Sequence, residues 1–597
     1  MSLTNESSFF YEFGTFRLDP SERLLLREGQ TVQLAPKVFD TLIALVESSG
    51  RLVDKEELMS KLWPDTFVEE ATLARNISDL RKALGKSTGD TKFIETVPKR
   101  GYRFIADVKS VSSDDFTLIV QRHIKSRVVF DEHLETDAGV ISIAVLPFRP
   151  ISSEERDVFL ELGIADALIT RLSNISQMVV RPTSSVRRYT SLDQSSAAAG
   201  RELKVSHVLD GGIQRAGERI RVTAQLVSVE DGRCLWAGKF DERFTDIFNV
   251  EDLISEHVAN ALVAKLSGEE KRLIAKHYTE DAEAHRLYLK GRYYWNRRTL
   301  EGYEKGIEYF EQAIRMDGSY ALAYSGLADC YSMLGRFGLV SPNIVMPRAV
   351  SSAETALNLD NKLAESHASV ALAAHIYTWE WDKAEQHYTR AIELNPRFAT
   401  AHHWYAVFLA EVGRAKEALS EIRLAQTLDP VSLIIGADTG MVFYLARDYD
   451  QAREQCRATL DMDPNYFRAR MWLGCAYELK GSYEEALGEY QKARSLDDSP
   501  YVLEWLARAH ALSGNQFEAN RVIEELAALS SRMYVDSYYL ASAYVALGKK
   551  EEAIARLEIA RRERSCWLIR LRVDPLFDSL RGIDGFDDLL EGVGAGL

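Results

Sequence analysis

A 34-residue period runs through the second half of this 597-residue chain. Asn-Pro or Asp-Pro pairs end at Pro396, Pro430 and Pro464, and alanines fall at Ala384, Ala418, Ala452 and Ala486. After a one-residue slip the series resumes at Ala519 and Ala553. Two antiparallel helices and two short turns consume about 34 residues. A recurring alanine lets those helices approach where a larger side chain would hold them apart. Each proline follows a second helix, which it cannot continue, and so starts the next turn. A single unit of this kind cannot bury its own apolar face, so the units must stack into a solenoid. Such a surface is built for recognition rather than catalysis.

Within one unit Leu473, Gly474, Tyr477, Ala486, Tyr490 and Ala493 follow the small-and-large spacing of a tetratricopeptide (TPR) repeat, which this region resembles. Leu540, Ala541, Tyr544, Ala553 and Ala560 repeat it. Earlier, Tyr324, Leu327, Ala328 and Tyr331 open a helix pair that Ala349, Ala353 and Ala356 close, with an insertion around Gly338–Pro342. Gly306, Phe310 and Ala313 belong to a first unit opening near Asp281. The spacing predicts about seven units over 281–565 and a C-terminal cap over 566–597. Trp379, Trp381, Trp404, Trp472 and Trp505 are expected to pack between helices. His402 and His403, being adjacent, point to different helix faces and make no metal pair; both are expected on the solvated surface.

The first hundred residues follow other rules. Residues 9 to 34 alternate apolar and polar (Phe9, Tyr11, Phe13, Phe16, Leu18, Leu24, Leu26, Val32, Leu34), with turns at Asp19-Pro20-Ser21 and Glu28-Gly29, and read as a small antiparallel sheet. A helix starts at Pro36 with Val38, Phe39, Leu42, Ile43, Leu45 and Val46 as its stripe. Asp54 caps a second helix through Leu62, and Trp63-Pro64-Asp65 breaks it. A third helix is expected from about Glu69 to Leu84, with Leu73, Ile77, Leu80 and Leu84 buried and Thr72, Arg75, Asn76, Asp79 and Lys82 turned outward. A hairpin follows, Phe93–Val97 and Tyr102–Ile105 around the tip Pro98-Lys99-Arg100-Gly101.

Sheet, three helices and basic-tipped hairpin are the parts of a winged helix. This stretch resembles the OmpR/PhoB type of winged helix-turn-helix domain through Val38-Phe39-Asp40-Thr41-Leu42, Leu62-Trp63-Pro64-Asp65, Asn76–Leu84 and Ile94–Phe104. The resemblance covers residues 9–107. It implies that the third helix enters the major groove of DNA and that the wing reaches the minor groove or backbone. The contact residues it implies are Thr72, Arg75, Asn76, Asp79, Arg81, Lys82, Lys99, Arg100 and Arg103. Asp79 departs from the basic residue many relatives carry there. Trp63, Pro64 and Asp65 lie where relatives contact RNA polymerase, so polymerase is an expected partner beside double-stranded promoter DNA. Residues 1–107 hold 15 basic and 17 acidic side chains, but between Arg75 and Phe104 eight basic residues face three acidic ones. The positive charge is concentrated where the groove would be.

Residues 108–138 read as a linker. A middle α/β domain is expected over 139–268, with strands at 141–148, 178–182, 205–209, 219–229 and 234–240 and helices near 159–172, 196–203 and 246–266. It resembles the TolB N-terminal-like domain through Ile143–Phe148, Gly163-Ile164-Ala165-Asp166, His207–Gly211 and Leu235-Trp236-Ala237. That resemblance implies a fold more than an activity. His207 and Asp210 are read as strand-end hydrogen-bond partners.

The whole is therefore multidomain: an α+β winged helix, an α/β middle domain and an all-α TPR solenoid. The stretch before residue 9 is too short for a receiver domain, so the arrangement resembles the ToxR/CadC/HilA-like regulators. It lacks a transmembrane segment, since the longest run free of Asp, Glu, Lys and Arg is the 14 residues Ser366–Trp379, short of a span. The opening residues lack the basic and apolar regions of a signal peptide. Five cysteines without ligand spacing fit reduced thiols in the cytoplasm. Gly85-Lys86-Ser87-Thr88 echoes a P-loop but follows a helix and lacks the first glycine. No catalytic constellation appears, and neither enzyme activity nor a cofactor is expected. The expected function is sequence-specific transcriptional regulation. The middle and TPR domains would receive a protein or small-molecule signal, with homo-oligomers on repeated half-sites. The alternative is a TPR scaffold whose winged helix binds protein, favoured by the net charge of −16 and by Asp79.

Overall fold

The structure, a computed structural model, describes residues 9–20, 24–27, 30–32, 34, 36–62, 70–84, 93–97, 100–106, 108–112, 141–151, 158–190, 195–244, 247–263, 266–497 and 499–593. The chain divides into two compact units, Met1–Glu135 and Thr136–Leu597.

In the first unit β1 (Phe9–Phe13), β2 (Phe16–Asp19), β3 (Leu24–Arg27) and β4 (Gln30–Thr31) form an antiparallel meander. Then come α1 (Pro36–Glu47), β5 (Leu52–Asp54), α2 (Lys55–Leu62), α3 (Glu70–Leu84), and the hairpin β6 (Ile94–Val97) and β7 (Gly101–Phe104). Strand β5, unforeseen in the sequence, pairs with β7 and makes the wing three-stranded. The expected linker begins as structure: β8 (Lys109–Ser112) pairs antiparallel with β1 and extends the meander to five strands. Its short polar sequence carries no strand pattern, so only the pairing reveals it. The remainder of that linker, through 138, lies outside the described residues. Leu73, Ile77, Leu80 and Leu84 of α3 are buried against Val38, Phe39, Leu42 and Leu45 of α1. Phe13, Phe16, Phe93 and Phe104 join meander to wing, with Phe13 and Phe104 edge to face at 5.1 Å.

The middle domain opens the second unit. Its sheet runs β11 (Met178–Val180), β9 (Ile141–Val145), β12 (His207–Ala216), β13 (Arg219–Ser228), β14 (Cys234–Arg243), with β10 (Arg149–Pro150) beside β12. β9 pairs parallel to both β11 and β12, while β12, β13 and β14 are antiparallel. β12 is twice the expected length because Gly211 and Gly212 stay within the strand rather than ending it. Helices α4 (Val158–Leu172), α5 (Ser196–Glu202) and α6 (Ile247–Leu262) pack on this sheet.

The described residues from Ala282 to Arg562 form eight helix pairs, one more than the spacing predicts. The alanine series from Ala384 to Ala553 itself marks six of them and the two pairs before it make eight; the pair 364–394 is the irregular one. Its first helix, Ala364–Ala373, runs into a π-type turn, Ala374–Thr378, and ends at Trp379 with left-handed φ of 60°. The tight approach of paired helices is visible at Gly474, where a Cβ would overlap the ring of Tyr490. Trp381, Trp404, Trp472 and Trp505 are buried, as expected; Trp379 is half-exposed beneath the Arg564 guanidinium at 4.4 Å. His402 and His403 are not on the surface, as the sequence reading had them. They are 1% and 6% exposed, and each meets a carboxylate, Glu421 at 2.6 Å and Asp438 at 2.9 Å. Hydrogen bonding to those carboxylates makes their burial tolerable.

The expected cap is also more than a lid. Helix Asp584–Gly592 packs on the last pair, but residues 565–578 run back along the row of first helices. The Arg336 guanidinium donates to the Cys566 carbonyl at 2.8 Å, and Tyr444 and Tyr538 both donate to Asp574, at 2.9 and 2.8 Å. Helices such as Ala399–Glu411 and Leu433–Leu445 are buried around nearly their whole circumference because this segment covers them.

Candidate nucleic-acid interface

Helix α3 is held by its apolar seam, and the polar residues flanking that seam divide into two groups. Thr72, Arg75 and Lys82 are exposed, with Lys82 79% open to solvent, and Asp79 stands half-open 3.8 Å from the Lys82 ammonium. Arg100 projects from the wing tip. This set leaves a basic strip in water.

Asn76, expected to face outward, does not. It is 8% exposed, and its amide donates to the Lys37 carbonyl at 3.3 Å and to the Thr41 hydroxyl at 3.2 Å. Thr41, itself fully buried, donates to the same carbonyl at 2.6 Å. The residue clamps α3 across α1. Successive helical residues turn by about 100°, which places position 76 on the flank of the seam rather than opposite it.

Arg81 is exposed but engaged. Its guanidinium donates to the Ile94 carbonyl at 2.9 Å and to the Thr96 hydroxyl at 2.7 Å, tying α3 to the wing. Arg103 pairs with Glu95 across the hairpin at 3.3 Å. Trp63, Pro64, Asp65 and Lys99 lie outside the described residues.

Three positioning groups escaped the sequence reading. The Lys37 ammonium donates to the Leu62 carbonyl at 2.7 Å and so holds the end of α2. The Lys55 amide donates to the Arg100 carbonyl at 3.1 Å, anchoring the wing tip to the start of α2. Gly101 brings β7 against β5 so closely that a Cβ would overlap the Val53 carbonyl oxygen. A glycine beside Lys99-Arg100 was the available signal for that last contact.

In the second unit the middle domain is fastened to the solenoid by buried polar groups. Arg171 of α4 pairs with Glu251 at 3.2 Å and with Asp252, and His285 meets Glu251 from the first solenoid helix at 3.0 Å. Arg181 donates to the Leu428 carbonyl at 2.6 Å, and Ser185 to Asp429 at 2.6 Å. Glu251 is held below the usual carboxylate range by His285 and Arg171, against the upward push of its burial. Beside this junction lies a cavity of about 710 Å³ lined by Ser176, Glu270, Lys276, Glu365 and Asn395. His207, at the start of β12, is bonded to Ser206 at 2.9 Å as expected, whereas Asp210 lies inside the strand and accepts from Ser196. No group of three metal-ligating side chains occurs among the described residues, and no described helix is long and apolar enough to cross a membrane.

Comparison with known proteins follows the same division. Residues 29–104 match the family model described as "Transcriptional regulatory protein, C terminal", and residues 374–432 and 438–501 match "Tetratricopeptide repeat". Residues 139–257 match "HilA/YgeH-like transcriptional regulator, second domain". The chain is 24% identical over 434 residues to "Transcriptional regulator HilA" of Salmonella typhi, covering 72% of each protein. It is 31% identical over 103 residues to "Transcriptional activator CadC" of Escherichia coli, covering 17% of this chain and 20% of that one. It is also 29% identical over 235 residues to "Putative adenylate cyclase 3" of Rhizobium meliloti, covering 39% and 40%. The chain thus carries an OmpR/PhoB-type transcriptional-regulator domain, a HilA/YgeH-like second domain and tetratricopeptide repeats.

Proposed function

We propose that this protein is a transcriptional regulator that reads promoter DNA with α3 and the wing and takes its signal through the middle domain and solenoid. The observation that carries the reading is the strip of Thr72, Arg75 and Lys82 on α3 and Arg100 on the wing, left in solvent while Asn76 and Arg81 clamp the two flanks of the α3 seam. A rigid helix with an exposed cationic face suits the major groove, where arginine donates to guanine O6 and N7. The wing arginine, with Lys99, serves the phosphate backbone or minor groove. Asp79 accepts from a cytosine amine. Asn76, Arg81 and Arg103 act as positioning residues.

The segment Trp63-Pro64-Asp65 is the proposed polymerase contact. The cavity between middle domain and solenoid is the proposed seat of a small effector, and the solenoid surface that of a protein partner. The protein acts in the cytoplasm and carries out no catalysis of its own.

Full-length protein with genomic DNA fragments at two salt concentrations tests this. Discrete sites should be enriched, and Arg75→Ala should weaken binding by about 1–3 kcal/mol and relax the sequence preference at one position. Affinity should fall with salt at a slope of about −0.9 per phosphate contacted. Retention of no fragment, or of all equally, would transfer the assignment to a protein-binding scaffold.

A further inference from the structure

The longest unpaired sheet edge among the described residues is β14. It has ten residues, whereas the opposite edge of the same sheet, β11, has three. Folded proteins ordinarily keep edge strands short or charged, because free N–H and C=O groups template further pairing. The centre of β14, Trp236-Ala237-Gly238-Lys239-Phe240, carries a single charge. Asp241, which follows, is neutralised within its own sheet by Arg219 at 2.6 Å and Arg221 at 2.7 Å. Trp236 and Phe240 are half-buried on the face covered by α6, where Trp236 stacks on His257 at 5.2 Å. Ala237 and Lys239 are exposed on the other face.

The geometry points to a second copy of this chain as the occupant of the edge, joined by antiparallel pairing of β14 with β14 about a two-fold axis at Gly238. The strand's own symmetry selects this register. In an antiparallel two-fold pair the axis is normal to the sheet, so residues directly opposite must share a face and their numbers must sum to an even value. An axis at Lys239 sets two ammonium groups against each other. An axis at Gly238 puts glycine at the closest approach. It sets Trp236 opposite the other copy's Phe240 twice, the aromatic pairing that stabilises sheets. On the open face Ala237 then lies opposite Lys239. The product is one continuous sheet through both copies, independent of whether the winged helix reads DNA.

The register makes the test sharp, because Ala237 and Lys239 are exposed and their replacement leaves the core untouched. Sedimentation velocity of the full chain over a concentration series should show a reversible dimer. Ala237→Asp places two carboxylates opposite two lysines and should tighten the dimer about threefold to tenfold. Ala237→Lys should weaken it by a similar factor, and Ala237→Lys with Lys239→Asp should restore it. Thermal melting of each variant verifies that the fold is unchanged. A monomer at every concentration, or a dimer on which Ala237→Asp and Ala237→Lys act alike, would overturn the assignment.

Discussion

Arg75 and Arg100 stand in solvent on the winged helix, whereas Arg336, Arg508 and Arg570 are buried along the row of first solenoid helices, each against a carboxylate. The chemistry is the same and the use is opposite. A guanidinium left in water keeps its charge for an external polyanion and contributes almost nothing to the fold. A guanidinium enclosed with Glu411, Glu478 or Asp574 has lost its water, so it holds the fold only while its partner remains. The groove that a stack of helix pairs would present to a peptide is here filled by the chain's own residues 565–578. Trp567, Arg570 and Phe577 are almost wholly buried in it. The partner proposed for the solenoid is thus left the outer helices and the cavity beside the middle domain.

Removing one partner of a buried pair should give the largest effect. Glu478 accepts from Arg508 at 2.8 and 3.1 Å, and the two side chains are 0% and 4% exposed. Glu478→Ala leaves that guanidinium enclosed and unpaired and should cost about 3–5 kcal/mol, read as a lowered urea midpoint by tryptophan fluorescence. Every tryptophan but Trp63 lies in the second unit, so the signal reports on that unit. An unchanged midpoint would mean that water reaches the site and that the contrast with Arg75 is false.

Protonation offers a second way to break the comparison. Burial raises the carboxyl of Glu504 to about 8 and those of Asp329 and Asp536 to about 7. These groups are protonated in the folded protein near neutrality, while their unfolded counterparts are ionised. Their stabilising effect is complete below the ordinary carboxylate range and is lost as pH rises through 7 to 8. Glu411 is held at about 2 by Arg336 and His375 despite its burial, so its contribution is present above pH 5 and lost in acid. On these groups the second unit should melt highest at about pH 4–5, where Glu411 is ionised and the raised carboxyls have barely begun to lose stability, and several degrees lower by about pH 8. Glu504→Gln, which cannot ionise, should flatten the alkaline decline, and a melting curve as steep as before would remove Glu504 from the explanation.

The two units also differ in what their sequence discloses. Periodicity disclosed the α3 seam, since Leu73, Ile77, Leu80 and Leu84 recur at helical spacing and no other arrangement buries them together. It disclosed the 34-residue array for the same reason. What it missed rests on contacts distant in sequence. Arg336 reaches Cys566 across 230 residues, and nothing in Cys566-Trp567-Leu568 marks that segment as a strap rather than a lid. His402 and His403 read as surface because histidine is polar; their carboxylates lie 19 and 35 residues away. β8 is visible only through its pairing with β1. Asn76 was nearer to hand, for its angular position already set it beside the seam.

Within the winged helix the contrast can be drawn between two arginines six residues apart. Arg75 is free of any carboxylate among the described residues, while Arg81 donates to Ile94 and Thr96 of the wing. Arg75→Ala should leave thermal stability within about 0.5 kcal/mol of the parent and lower DNA affinity. Arg81→Ala should cost about 1 kcal/mol of stability, because the buried-side carbonyl of Ile94 loses its donor. Its effect on DNA should come through the wing. It should reduce the contribution of Arg100, so that Arg81→Ala and Arg100→Ala combined weaken binding by less than the sum of the two. Strict additivity in that double-mutant cycle would show Arg81 touching DNA for itself, and would move it from the clamped group into the solvent strip.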